Sequence, residues 1–202
     1  MTIAESQLPQ VTPQQQPTPY RFTREEYYRM GDLGIFHDKR VELIEGEIIY
    51  MPPMKDLHAV AIGLVGPILA NAFPDFWVRN QLPLAVAKKS DPVPDFSVTP
   101  GNPRDYLGKP HPHTALLVIE IADSTLAFDR NTKASLYARA AVLDYWILNL
   151  RDRSLEVYRD PVTDPDAPLG HRYQSLATLH PPAIISPLAA PAAQIPVADL
   201  LP

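Results

Sequence analysis

The run Leu116-Leu117-Val118-Ile119-Glu120-Ile121 restricts the fold of this chain more than any other stretch. A strand at a half-exposed sheet alternates apolar and polar residues, whereas this one is apolar on both faces. It therefore reads as a central strand with a layer packed against each side. One carboxylate, Glu120, interrupts it. A lone ionised carboxyl in such a strand is costly unless it is paired or ligates a cation. The same few residues thus call for a layered α+β or mixed α/β domain and mark a candidate site.

The remaining segments supply the layers. Thr23-Arg24-Glu25-Glu26 has the pattern of a capping box and predicts a short helix to about Met30. Residues 41–51 alternate β-rich runs around Glu45-Gly46, which predicts a hairpin. Asp56 is expected to cap a long helix through Phe73, apolar enough for most of it to be buried. Strands are predicted over 76–87, 93–99 and 115–122, then a helix over 126–142 with Asp123 or Ser124 near its cap. Further strands are expected over 145–150, 154–158 and 172–179, with no internal repeat.

Proline sets the boundaries. The chain has 24 prolines in 202 residues. Residues 1–19 are rich in Gln and Pro and cannot bury enough surface to offset their ordering, so they are expected to form a flexible tail. Residues 20–202 read as a single domain with a Pro-rich C-terminal segment, and the part from Pro181 onward is a candidate dimer arm or partner-docking segment. The longest apolar stretch, 59–73, is short for a membrane span and carries Pro67 and Asn71. No basic stretch followed by an apolar one opens the chain, so a soluble cytoplasmic protein is expected. There is no cysteine, which excludes thiol catalysis, disulfide scaffolds and Cys-ligated zinc or iron–sulfur centres.

Two more carboxylates stand where a strand wants an apolar group. Asp95 lies in Asp91-Pro92-Val93-Pro94-Asp95-Phe96, and Glu42 in Val41-Glu42-Leu43-Ile44. Two or three such groups meeting at one sheet end would hold a divalent cation through oxygen ligands, as Mg²⁺ or Mn²⁺ prefers. Each also has an ordinary reading: Glu42 and Glu45 on the wet face of the hairpin, Asp95 as a turn residue beside proline. Lys133 either reaches back to the carboxylates or pairs with Asp129 one helical turn away. His58 near the start of the long helix is either a group supporting the site, or an acid–base group, or simply packed, as a single helical His more often is, and His111 and His113 flanking Pro112 read as exposed loop residues ahead of a weak metal hint. No Gly-x-Ser-x-Gly elbow, P-loop or Gly-x-Gly-x-x-Gly occurs.

In this order the segments Val41-Glu-Leu-Ile-Glu-Gly-Glu-Ile, Pro94-Asp95-Phe96, Val118-Ile-Glu120-Ile-Ala-Asp-Ser-Thr, Asp129-Arg-Asn-Thr-Lys133-Ala-Ser-Leu-Tyr137 and Asp144-Tyr-Trp-Ile resemble the Uma2 family (DUF820). That family is assigned to the PD-(D/E)XK nuclease superfamily. The resemblance covers about Tyr20 to Tyr158. It implies a restriction-endonuclease-like core, a central mixed β-sheet flanked by helices, and a Mg²⁺- or Mn²⁺-dependent endonuclease acting on DNA. By this likeness Asp95 and Glu120 are the metal ligands, and Glu42 is an added ligand or water-orienting group. The superfamily usually places its lysine two residues after the second acid. Here that position is Ala122, and Lys133 on the following helix matches the family's displaced lysine. His58 matches a histidine often found at that helix start, with no assigned role. A homodimer is the expectation carried over from the superfamily.

The formal charge of −5 argues against a protein basic all over. Nucleic-acid contacts would need a local patch, for which Arg79, Lys88, Lys89, Arg130, Lys133 and Arg139 are the candidates. Two alternatives stay open beside the nuclease. One is a catalytically idle nuclease fold serving as a binding module, and the other is a phosphohydrolase acting on small esters.

Overall fold

The computed structural model describes residues 17–37 and 39–202. The expected tail over 1–19 lies outside the described residues except for 17–19, which adopt no regular structure. The remaining residues build a six-stranded mixed sheet with a helix-bearing layer on each face.

The sheet runs β3 (Trp77–Asn80), β4 (Phe96–Thr99), β5 (Leu117–Ala122), β6 (Asp144–Asn149), β7 (Ser154–Thr163), β8 (His171–Leu179) in spatial as in chain order. Only β5 and β6 are parallel; every other pair is antiparallel. A parallel neighbour needs a crossover. The chain supplies it with α3 (Leu126–Phe128), a π turn (Asp129–Lys133) and α4 (Ala134–Arg139), which follow one another without a gap. Strand β5 is buried along its whole length, as its two-faced apolar run requires. Leu117, Ile119 and Ile121 pack with α2 (Asp56–Ala72) through Ala61, Val65 and Leu69. Val118 and Ala122 pack on the opposite face with Ala134, Tyr137 and Ala138. Alternation therefore turns Glu120 toward the α4 layer.

The predicted capping box forms at the start of α1 (Arg24–Asp32), and β1 (Val41–Ile44) and β2 (Glu47–Tyr50) make the hairpin. Gly46 turns it at φ 78°, and a Cβ there would come within 2.7 Å of Arg21, so only glycine fits. The hairpin docks through Asp91 N–H donating to Leu43 O at 2.7 Å and Gly46 N–H to Lys89 O at 2.7 Å.

Several expectations are corrected. The strand predicted over 76–87 ends at Asn80, because Gln81 takes φ 50° and Pro83 cannot donate to a ladder. The helix predicted to reach 142 stops at Arg139. Asp56 is the first residue of α2; Lys55 holds the cap position and makes no side-chain cap. Helix α2 is also less buried than its composition suggests, with Leu57, Val60 and Leu64 exposed by 57%, 51% and 37%.

The C-terminal segment is not a free arm. It forms β9 (Ile184–Ile185), β10 (Ile195–Pro196) and α5 (Val197–Leu200), and it buries Ile195, Val197, Leu200 and Leu201 in the α2 side of the core. Leu200→Ala is expected to cost about 2–5 kcal/mol in a urea titration, as an interior truncation does. A free arm would show no loss.

Candidate active site

Four strongly buried polar side chains meet beside the middle of the sheet. Glu42 comes from β1, Asp95 immediately precedes β4, Glu120 comes from β5 and Lys133 ends the π turn. All four line one cleft, whose rim carries Arg40, Lys55 and Asp123. The structure thus brings together every residue singled out for the site.

Lys133 is its hub. Its Nζ donates to Glu120 Oε1 at 3.0 Å and to Glu42 Oε1 at 3.3 Å. Glu42 Oε2 lies 3.2 Å from the same ammonium but out of line for a hydrogen bond, so it is a buried oxygen without a donor. Burial works against the Lys133 charge, yet Glu120, Glu42 and Asp129 outweigh it and hold the ammonium charged beyond its ordinary range. Glu120 shifts upward as well. Burial raises it well above a normal carboxylate, and Asp129, Asp95 and Glu42 add to the rise against the pull of Lys133. The two upward shifts agree on one physical point: the pocket holds more acid than one ammonium can neutralise.

Asp95 is held differently. Its Oδ2 accepts from Ile121 N–H at 2.8 Å, and its Oδ1 lies 2.9 Å from His58 Nε2 and 3.1 Å from Gln81 Nε2. Burial opposes its ionisation, but the bonds and charge of His58 and the donors Ile121 and Gln81 prevail and keep it below the usual carboxylate range. Because Ile121 follows Glu120 on β5, the backbone itself ties the two acids together.

Two members escaped the reading of the sequence. Asp129 is buried, accepts from Thr125 Oγ1 at 2.6 Å and is itself pushed up by burial. Tyr137 OH donates to Glu120 Oε1 at 2.8 Å. The spacing Asp129, Lys133, Tyr137, four residues apart each time, was the available signal: it puts all three on one helix face. A π turn in place of an α turn there is common at functional sites.

Three of the six candidate cations are taken up within the fold. Arg79 is buried, stacks over Trp77 at 4.9 Å and donates to Pro83 O. Arg130 grips Glu156 with two hydrogen bonds, and Arg139 does the same to Glu45. Among the described residues no three His, Asp or Glu side chains form a ready-made metal cluster.

The comparisons fit this geometry. A solved structure titled a "putative nuclease belonging to DUF820" from Anabaena variabilis superposes with TM-score 0.65 over 89% of this chain and 97% of its own. At 18% identity that likeness is one of fold. No curated protein matches the sequence. The sequence profile of the Uma2 family, described as "Putative restriction endonuclease", matches residues 24–198. With that span covering both layers, the sheet and every site residue, the chain belongs to the Uma2 family.

Proposed function

We propose that the protein is a Mg²⁺- or Mn²⁺-dependent endonuclease hydrolysing phosphodiester bonds of DNA. The observation that carries this reading is the meeting of Glu42, Glu120 and Lys133 on one cleft wall, with Asp95 fastened to the same strand through Ile121 N–H. Membership of the Uma2 family, described as "Putative restriction endonuclease", supports it. No helix among the described residues is long and apolar enough to cross a membrane. We take the protein as a cytoplasmic homodimer, and the exposed Leu57, Val60 and Leu64 of α2 are a surface that pairing would cover.

The donor set suits a hard divalent cation. Every acid offers oxygen, and Glu42 keeps a buried oxygen without a donor. Mg²⁺ commonly takes only one or two carboxylates and completes its shell with waters and substrate phosphates, so a preformed cage of three acids is not required. Asp95 and Glu120 would hold the ion, with Glu42 beside them. When bound, it neutralises phosphate charge and makes water a better nucleophile.

The chain's own groups do the rest. Lys133, held charged, faces the negative charge that develops on phosphorus oxygens during attack. Glu42 orients the attacking water or adds a ligand. His58 and Gln81 keep Asp95 ionised and aimed. In-line attack by water forms the new P–O bond as the opposite one breaks; the attacking water gives up a proton to solvent and the departing oxygen takes one up from solvent.

The test is cleavage of supercoiled plasmid and single-stranded DNA with Mg²⁺ or Mn²⁺. Wild type is expected to cut, and Glu120→Ala and Lys133→Ala to lose about 10²–10³-fold or more in rate. Folded wild type that neither binds metal nor cuts would sink this reading in favour of an idle binding module.

A further inference from the structure

The acids lie deep in the cleft: Glu42, Asp95 and Glu120 are each no more than 5% exposed. Duplex DNA is stiff over about 150 base pairs and carries its phosphates on a convex surface, so bringing one phosphate into such a recess costs more for a paired strand than for an unpaired one, which bends at every nucleotide.

Two neighbouring cavities adjoin the cleft. One is lined by Tyr27, Phe36 and Lys39, another by Tyr50, Met54 and Gln81, and both share Arg40 and Met51 with the cavity over the acids. Arg40 therefore stands where all three meet. It is exposed, and it pairs with no carboxylate among the described residues. Its backbone is fixed, since Met51 N–H donates to Arg40 O at 2.9 Å. The ring platform is fixed as well: Tyr27 packs on Phe36 with centroids 5.2 Å apart and donates its OH to Val41 O at 2.9 Å.

We propose that this groove takes an unpaired polynucleotide strand in preference to an intact duplex, with Arg40 holding a phosphate next to the carboxylates and the Phe36 and Tyr50 rings receiving bases. Charge agrees with that choice. Lys39, Arg40, Lys55 and Lys133 are the lysines and arginines lining these cavities, in a chain of net charge −5, and Lys55 and Lys133 already pair with carboxylates. Four cations are few for a duplex footprint of about 6–10 phosphate contacts. They suffice for a short strand whose bases also stack on aromatic rings, a mode that tolerates any sequence.

The inference rests on the nuclease reading for its chemistry but is tested by binding alone. Fluorescence anisotropy of labelled oligodeoxythymidine, oligouridine and a mixed-sequence duplex of equal length would be measured with the full chain in Ca²⁺. The single strands are expected to bind about tenfold or more tightly than the duplex, and the two single strands together report whether the sugar matters. Arg40→Ala should lose about tenfold, Arg40→Lys should recover part of it, and Tyr50→Ala should lose roughly fivefold. A duplex bound as tightly as the single strands, or an Arg40→Ala variant that binds like wild type, overturns the proposal. Tight single-strand binding with no cleavage in Mg²⁺ or Mn²⁺ would support the proposal while removing the nuclease reading.

Discussion

Lys133→Met is expected to abolish metal-dependent cleavage and to lower the thermal midpoint by roughly 10 °C near pH 8, the shift that about 3–5 kcal/mol gives in a chain of this size. The side chain is almost fully buried, and its Nζ is the hydrogen-bond donor that reaches Glu42 and shares Glu120 with Tyr137. Methionine fills much the same space without a charge, so the loss measures electrostatics rather than a cavity. Without the ammonium, Glu42, Glu120 and Asp129 are left together in a buried pocket.

The sign of the pH dependence follows from that crowding. Carboxyls with no counter-charge have folded pKa values raised above their unfolded ones. They destabilise the fold only above the unfolded value, and increasingly as pH rises toward the folded value. Below about pH 4 Glu120 and Asp129 become protonated in the unfolded chain as well, which removes their cost, while in wild type the buried ammonium loses the Glu120 charge that answers it. The gap between variant and wild type should therefore narrow from both sides as pH falls. Calorimetry from about pH 4 to 9 checks this. A deficit of the same size at every pH would show that Lys133 contributes packing alone.

Much of this arrangement was legible before any coordinates. A strand apolar on both faces has to be central, and the carboxylate within it has to be answered by something; β5, Glu120 and Lys133 stand in that relation. The hairpin was readable because Glu45-Gly46 can turn and its flanks cannot. What stayed hidden was non-local. Asp129 and Lys133 at a four-residue spacing look alike as a wet surface pair or as two walls of a pocket, and only the layer packed on top decides. Gln81 and His58 reach Asp95 from far along the chain, with no local pattern to announce them. The pairing of two candidate cations is non-local for the same reason, since Glu156 on β7 claims Arg130 and Glu45 in the hairpin turn claims Arg139. The segment after Pro181 has apolar residues without a period, so nothing in the pattern says that turns deliver them one by one into the core.

Glu120→Gln should have the opposite effect on stability from Lys133→Met, and that contrast separates a catalytic pocket from an ordinary buried ion pair. Glutamine keeps the shape and keeps an oxygen able to accept from both Tyr137 OH and Lys133 Nζ. It removes the one carboxyl whose ionisation the pocket resists most plainly, because burial and three neighbouring acids hold Glu120 well above its ordinary range. Lys133 still has Glu42 and Asp129, so its charge remains answered. The variant is expected to gain about 1–2 kcal/mol, or roughly 3–6 °C, at neutral pH. The gain should vanish below about pH 4.5, where Glu120 is protonated in the unfolded chain as well and no longer costs the fold anything. Cleavage should fall by about 10²–10³-fold or more, and the upward shift of the midpoint that Mn²⁺ produces in wild type should disappear with the ligand. Loss of stability in both variants would mean that Glu120 and Lys133 are simply a structural pair. A gain in one and a loss in the other means that the fold holds a surplus of negative charge at this point, which a bound cation is positioned to relieve.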